Sequence, residues 1–408
     1  MDQKPLEGIR VLDMTHILAG PYCSLVLKNL GASVIKIERP ELGDFARYIG
    51  PFLGENRDVS SYFLSVNAGK QSLSFDLKSD QGKEILSRLI KNSDVLVENF
   101  RPGTLAELGF SEDKISELNP QLVYAGVSGF GETGPMSNNP AFDMIIQALS
   151  GLISITGSES GETTRVGTSI SDIMAGVFAA VGVLALLYRR GIINRGGRID
   201  VAMLDSSVAI LENAIARFQV DHKVPGPIGT RHPSITPFGA FKTADTEIIV
   251  AAGNDGLFKQ LCEVIGRLEL IEDDRFKDNY SRTNNAEALK KILDTVFSSE
   301  SATTWLDRIE KAGIPCSRIN KIDDLFEFDQ IRARHMLVPI SGIPDFQVAG
   351  NPVKIKNVQE DQEAGRFPEL GEHNDQILAD VLGYSDHEIE ALYKEKVIFK
   401  RKRQTSNT

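Results

Sequence analysis

The stretch Ile9–Ile37, IRVLDMTHILAGPYCSLVLKNLGASVIKI, passes through three kinds of pattern in quick succession. An apolar run (Ile9–Leu12) leads through a loop (Asp13–Pro21) into an amphipathic helix (Cys23–Leu30), and Gly31 parts that helix from a second apolar run (Val34–Ile37). Short apolar runs on either side of a helix-period segment are the pattern of a βαβ unit. A second unit follows, with Ser72–Phe75 as strand, Gln81–Ile90 as helix and Val95–Val97 as strand, and then Leu122–Val127 as a further strand. Such alternation predicts an α/β fold with a mostly parallel sheet covered by helices, and places ligands at the carboxyl ends of the strands.

Beyond Asp205 the texture changes. A polar helix near Leu211–Val220 runs into the Pro- and Gly-rich link Val224–Gly229, which predicts a domain crossing. Between Pro237 and Val250 two strand-like runs flank the turn Ala244-Asp245-Thr246, and helical patterns follow at Gly256–Ile265, Glu287–Phe297 and Thr303–Ala312. These elements describe a smaller α+β domain. After Gly313-Ile314-Pro315-Cys316 the chain is turn-rich, and it closes with helix-like segments near Asp375–Val381 and Asp386–Tyr393.

The chain has 408 residues, 41% hydrophobic and 25% charged, with a net charge of −11. A balance this acidic argues against a nucleic-acid-binding face, which needs clustered Lys and Arg. The basic run Lys400–Arg403 reads as a frayed tail. The opening Met1-Asp2-Gln3-Lys4-Pro5 lacks the pattern of a signal peptide, and the apolar run Ile173–Tyr188 is shorter than the ~20 residues of a membrane span, so no membrane association and a cytoplasmic location are expected. Cys23, Cys262 and Cys316 have no CxxC spacing and read as reduced packing residues, with a thiol nucleophile at Cys23 as the less favoured alternative. The six histidines show no ligand spacing, so no metal is expected.

Chemistry is concentrated in Val166-Gly167-Thr168-Ser169-Ile170-Ser171-Asp172-Ile173-Met174-Ala175-Gly176. Only apolar and small residues run from Ile173 to Tyr188, which predicts a buried helix with Asp172 in its first turn. There the helix dipole favours an anion, keeping Asp172 ionised as a nucleophile. The competing reading is an N-terminal cap. Gly129-Phe130-Gly131-Glu132-Thr133-Gly134 fits GxGxxG, but Pro135, Asn138, Asn139 and Pro140 follow where a dinucleotide fingerprint would open a helix. A pocket-lining loop whose amides could serve an oxyanion is the better functional reading, with a plain turn as its rival. Gly69-Lys70-Gln71-Ser72 is not a Walker sequence, so ATP is not implied. The loops holding His16, Asn99 and Arg231-His232-Pro233 fall where the topology puts ligands, and Arg39, Lys70 or Arg101 could meet phosphates.

Ten segments in order carry a resemblance: LEGIRVLDMTHILAGP (6–21), LGASVIKIERPELGD (30–44), NAGKQSLSFDLK (67–78), VLVENFRPG (95–103), GVSGFGETGP (126–135), AFDMIIQALSG (141–151), VGTSISDIMAG (166–176), RHPSITPFGAF (231–241), GIPCSRI (313–319) and LGEHN (370–374). Together they resemble the class III coenzyme A transferases. The resemblance implies an interlocked homodimer in which both chain ends build one large Rossmann-like domain. On that basis 1–204 is the first part of the large domain, 205–228 a linker, 229–318 the small domain and 319–408 the return to the large domain and its C-terminal helices. It further implies Asp172 as nucleophile, with Asp143 near it, and aspartyl mixed-anhydride and aspartyl-CoA thioester intermediates; the pocket-loop reading puts Gly129 and Gly131 near the same residue. CoA contacts carried over are His16, Ile17, Ala19, Arg39, Asn99, Phe100 and Met203, to which the residue reading adds Lys70 and Arg101 as phosphate candidates. Partners would be an acyl-CoA and a small carboxylic acid, with no permanently bound cofactor.

The same resemblance separates branches. Formyl-CoA transferases carry glutamine where Leu18 stands, a basic residue where Glu107 stands, and a glycine run that is missing here. The small-domain segments look more like the branch that moves CoA between dicarboxylic acids with succinyl-CoA as donor, and Arg47, Arg231 or His232 could hold the distal carboxylate. The main rival is an α-methylacyl-CoA racemase, which needs two bases; that branch carries a His-Asp pair where this chain has Phe142-Asp143.

Overall fold

The computed structural model describes residues 2–54 and 59–401. Met1, and Lys402 and Arg403 of the basic run, lie outside the described residues. Contacts divide the chain into a larger unit (1–152, 166–221, 330–408) and a smaller one (153–165, 222–329). The chain thus crosses at 221/222 and returns at 329/330, against an expected small domain of 229–318, and the excursion 153–165 was not anticipated. It carries no strong pattern of its own.

In the larger unit six strands form one parallel sheet: β1 (Arg10–Met14), β2 (Ser33–Glu38), β3 (Gln71–Ser74), β4 (Val95–Glu98), β5 (Val123–Ser128) and β6 (Gly197–Ala202). Their spatial order is β3-β2-β1-β4-β5-β6. That is the doubly wound order of nucleotide-binding sheets, and it reverses direction between β1 and β4. Strand alternation explains why both faces are apolar: Leu12 and Leu96 point to one side, Val11, Val95 and Val97 to the other. The first face is covered by the helix α3 (Asp80–Lys91), through Ile85, Leu86, Leu89 and Ile90, and by the C-terminal segment, through Ile377, Leu378, Ile389 and Leu392. Asn374 joins the far end of the chain to β3, its Oδ1 accepting from the Ser74 amide at 2.8 Å.

The second face carries α1 (Ala19–Asn29) and the long helix α5 (Ile170–Ile193), packed side by side. Both begin at the carboxyl edge of the sheet, since α1 leaves β1 there and α5 runs down to feed β6. They approach closely because Gly176 has no side chain: a Cβ there would lie 2.6 Å from the Ala19 carbonyl oxygen. Two expectations need correcting. At 24 residues α5 is as long and apolar as a membrane span, not shorter. Nor is it buried all round. Ala175, Ala179, Ala180 and Val183 face the core, whereas Phe178, Val181, Tyr188 and Ile192 are exposed. A helix with an apolar stripe on each side has a second surface to cover.

The smaller unit holds an antiparallel sheet of β7 (Phe238–Lys242), β8 (Glu247–Ala251) and β9 (Cys316–Arg318), with β8 central. Helices Asp255–Val264, Ala286–Phe297 and Ala302–Lys311 cover it, and Trp305 and Phe297 meet edge to face at 5.2 Å in the core. The strand and helix positions expected for this region hold to within a few residues.

Candidate active site

Where the sheet reverses, the loops after β1 and β4 meet. The Asn99 side chain grips the main chain of His16 at both groups, Oδ1 accepting from the amide at 2.8 Å and Nδ2 donating to the carbonyl at 2.8 Å. The Phe100 ring stands 5.7 Å from the His16 imidazole. Burial, and then the Lys36 ammonium, lowers the His16 pKa, so the ring is neutral near pH 7. Ile17 has φ +66°, a conformation rare for a β-branched residue and found where surrounding structure enforces it. Of the expected CoA contacts, His16, Ile17, Asn99 and Phe100 therefore form one group, with Ala19 opening α1 just behind and Arg101 exposed just beyond. Arg39 is exposed, its Nε donating to the Gly43 carbonyl at 3.3 Å. Met203 is only 6% exposed and packs in the core under β5.

A doubly wound sheet leaves a crevice outside its strand ends where the order reverses, here between β1 and β4, and below it lies a buried set of ion pairs. Lys70 Nζ reaches Asp13 Oδ2 at 2.8 Å and also donates to Ser24, Asn67 and the Pro21 carbonyl. Burial opposes the charge of Asp13, yet Lys36 and Lys70 hold its carboxyl well below the usual carboxylate range. Arg47 is bidentate on Glu38, at 2.8 and 2.7 Å, and its guanidinium lies 3.9 Å from the Phe63 ring centre. Both expected ligand roles fail here for one reason. Lys70 and Arg47 are buried and held by carboxylates of their own chain, and pulling either toward a substrate would strand a buried carboxylate at a cost of about 3–5 kcal/mol.

Asp172 sits in the first turn of α5, one turn above the Gly176–Ala19 contact and hence beside the β1 loop. The cap of that helix is another residue. Asp143, the first residue of the helix α4 (Asp143–Ser150), accepts from the Ser171 amide through Oδ1 at 2.9 Å and from Gln147 Nε2 through Oδ2 at 2.7 Å. Gln147 in turn accepts from the Val166 amide at 2.9 Å, which ties the loop before α5 to α4. With its amide groups so engaged, the helix start leaves Asp172 with no hydrogen bond among the described residues. The expected ionised state is also corrected. Burial, and then the neighbouring Asp143 charge, pushes Asp172 up to about 7. Tyr62, in the helix α2 (Ser61–Asn67), belongs to the same field: burial and the carboxylates of Asp172, Asp143 and Asp44 raise its phenol to about 12. Neither Gln147 nor Tyr62 was singled out from the sequence. The spacing Asp143-x-x-x-Gln147, one helical turn, was a usable signal for the first.

The glycine loop is a turn that opens no helix, as its prolines require. Gly129 is pressed against Ala141, where a Cβ would lie 2.2 Å from the alanine Cβ. Gly131 has φ +81° and its amide already donates to Ser128 Oγ at 2.9 Å, so the Gly131 amide is not a free oxyanion donor. Cys23 is fully buried and its thiol is pushed up by burial and Asp13, which rules out the thiol nucleophile.

The CoA-transferase family III model matches residues 6–374. The chain belongs to that family. It is therefore a CoA-transferase, acting on CoA thioesters and carboxylic acids. An acetyl-CoA:oxalate CoA-transferase of Acetobacter aceti is 42% identical over 90% of this chain and 93% of its own. The succinyl-CoA:glutarate CoA-transferase of Mus musculus is 38% identical over 97% and 90%. A crystal structure of a CAIB/BAIF family protein from Brucella suis superposes with TM-score 0.82 at 33% identity, covering 93% of this chain and all of that one. In the transferase's smaller unit, Arg231 is half-buried with an Nε that has no hydrogen-bond partner among the described residues, and it borders a cavity of about 650 Å³. His232 is turned into its own loop, Nδ1 accepting from the Ser234 amide at 3.1 Å and the ring stacked on Phe238 at 5.4 Å.

Proposed function

We propose that the transferase moves CoA between dicarboxylic acids by covalent catalysis at Asp172. The observation that carries this is a carboxylate left without a hydrogen-bond partner among the described residues at the head of an apolar helix, beside the β1–β4 crevice, while its neighbour Asp143 takes the cap. In the first step an Asp172 oxygen attacks the donor thioester carbonyl, forming an acyl-aspartyl anhydride and expelling CoA as thiolate. The thiolate then attacks the aspartyl carbonyl, giving an aspartyl-CoA thioester and releasing the donor acid as carboxylate. The acceptor carboxylate repeats these two steps in reverse, ending as its CoA thioester with Asp172 regenerated. Charge and atoms balance at each step, so no net proton transfer is required.

The relatives' names supply oxalate and glutarate as acids, and acetyl- and succinyl-CoA as thioesters. A dicarboxylate acceptor is common to both, and oxalate stays among the candidates despite Leu18 and Glu107. The exposed apolar residues of α4 and α5 (Met144, Ile145, Phe178, Val181) support the homodimer that the family resemblance implies.

The test is an acyl-CoA mass profile after incubating wild type and Asp172→Ala with succinyl-CoA or acetyl-CoA and a panel of dicarboxylic acids. New thioesters from wild type alone, with an aspartyl-CoA adduct on the Asp172 peptide, are expected. Solvent deuterium entering a 2-methylacyl-CoA without any new thioester would instead establish the racemase chemistry.

A further inference from the structure

We propose that Asp44 is a positioning residue for the CoA thioester, its buried carboxylate holding the His16–Ile17 turn in the conformation that shapes the crevice. This rests on the reading that the β1–β4 crevice receives CoA.

The turn needs holding. Ile17 at φ +66° pays a steric penalty that glycine would not, and a free loop would relax it. Asn99 grips His16 from one side. From below, Asp44 Oδ1 accepts from the Ile17 amide at 3.1 Å, and from the Ala46 amide at 2.9 Å. The other oxygen, Oδ2, pairs with Lys36 Nζ at 2.9 Å, and Lys36 donates to the Thr15 carbonyl at 2.9 Å. Thr15 and Ile17, the residues on either side of His16, are thereby tied to one ion pair whose two side chains are both wholly buried.

Asp44 is itself fixed. Its amide donates to Glu38 Oε2 at 3.0 Å, and Glu38 is clamped by Arg47 and by Ser72 Oγ at 2.7 Å. A line of support runs from Arg47 through Glu38 and Asp44 to Ile17, which gives the buried charges under the sheet edge a common purpose. Stability alone would not ask for it, since a buried ion pair is on average no better than apolar packing. A rigid, off-minimum turn at a binding loop is where such an arrangement brings a return.

The experiment is calorimetric titration of full-length wild type, Asp44→Asn and Asn99→Ala with free CoA, alongside initial rates at varied acyl-CoA and varied acid. Asparagine keeps the shape of residue 44 but removes the charge that binds Lys36. We expect Asp44→Asn to weaken CoA about tenfold, equivalent to about 1.4 kcal/mol, and to raise KM for acyl-CoA similarly. KM for the acid and kcat at saturating acyl-CoA should stay near wild type, a split that general loss of structure would not produce. A folded Asp44→Asn that binds CoA as wild type does overturns the inference alone. Wild type that binds no CoA overturns the reading of the crevice as well. Should Asp44→Asn fail to fold, hydrogen exchange of wild type decides: a protected Ile17 amide supports the tether, and an amide exchanging at the rate of an open loop refutes it.

Discussion

Acidifying the transferase from pH 7 to pH 5 should remove most of its activity through one carboxyl group. Asp172 has the ordinary carboxyl value of 3.8 when exposed and is held at about 7 in the folded chain. At 1.36 kcal/mol per tenfold change, the anion is about 4 kcal/mol less favourable there than in water. Ionised Asp172 would make up about half of the molecules at pH 7 and about 1% at pH 5, so kcat/KM for acyl-CoA should fall roughly fifty-fold across that interval. An ordinary aspartate would lose almost nothing over the same range. The assay is initial-rate transfer at sub-saturating acyl-CoA across pH 4.5–8.5, with fold monitored by circular dichroism at each pH. Because kcat/KM reports the free enzyme, the limb belongs to the group as seen here. A profile that stays flat down to pH 5 would show that Asp172 is not the ionising nucleophile, or that its surroundings do not hold it protonated.

The neighbour gives a second measurement: Asp143→Asn should move the acid limb below 7 but not to 3.8, because burial is the larger cause and remains. A limb that does not move would remove Asp143 from the electrostatics. The same shift bears on stability. Since the folded state holds the Asp172 proton more tightly than the unfolded state, this group costs stability as pH rises from about 4 to 7. Asp172→Asn should therefore raise Tm most at pH 8 and only about a quarter as much at pH 4.5; equal effects at the two pH values would contradict the linkage. Arg47→Ala should cost about 3–5 kcal/mol in urea unfolding by leaving Glu38 buried without its partner, and a folded variant with only a raised KM for the acid would restore Arg47 as a substrate ligand. If the exposed apolar stripe of α5 seats a second copy, wild type should sediment as a dimer and Val181→Asp as a monomer in analytical ultracentrifugation; a monomeric wild type, or a dimer unchanged by the substitution, would refute that use of the stripe.

Several readings were reachable because their signals are local. The parallel sheet follows from apolar runs alternating with helix-period segments, and five of its six strands were placed that way. The strand missed, Gly197–Ala202, is a sheet edge whose alternation of Arg198 and Asp200 with Ile199 and Val201 was visible but competed with the charged helix end before it. Asp172 stood out as a lone carboxylate at the start of an apolar run. Arg47 and Lys70 misled because a cation in a loop looks the same in sequence whether it faces solvent or a buried carboxylate. The partner of Lys70, Asp13, is 57 residues away, and Arg47 also donates to the Pro368 carbonyl, 321 residues distant.

What the sequence determined by itself is the order of elements, the family and the residue placed at the head of α5, since periodicity, turn chemistry and motif spacing are properties of neighbouring residues. Only the tertiary structure decided that Asp143 caps the helix, that Asp172 has no hydrogen-bond partner among the described residues and is held near neutrality, and that Asp44 grips the Ile17 turn. Those outcomes depend on through-space distance and on how far water is excluded, and both arise only when segments remote in the chain are packed together.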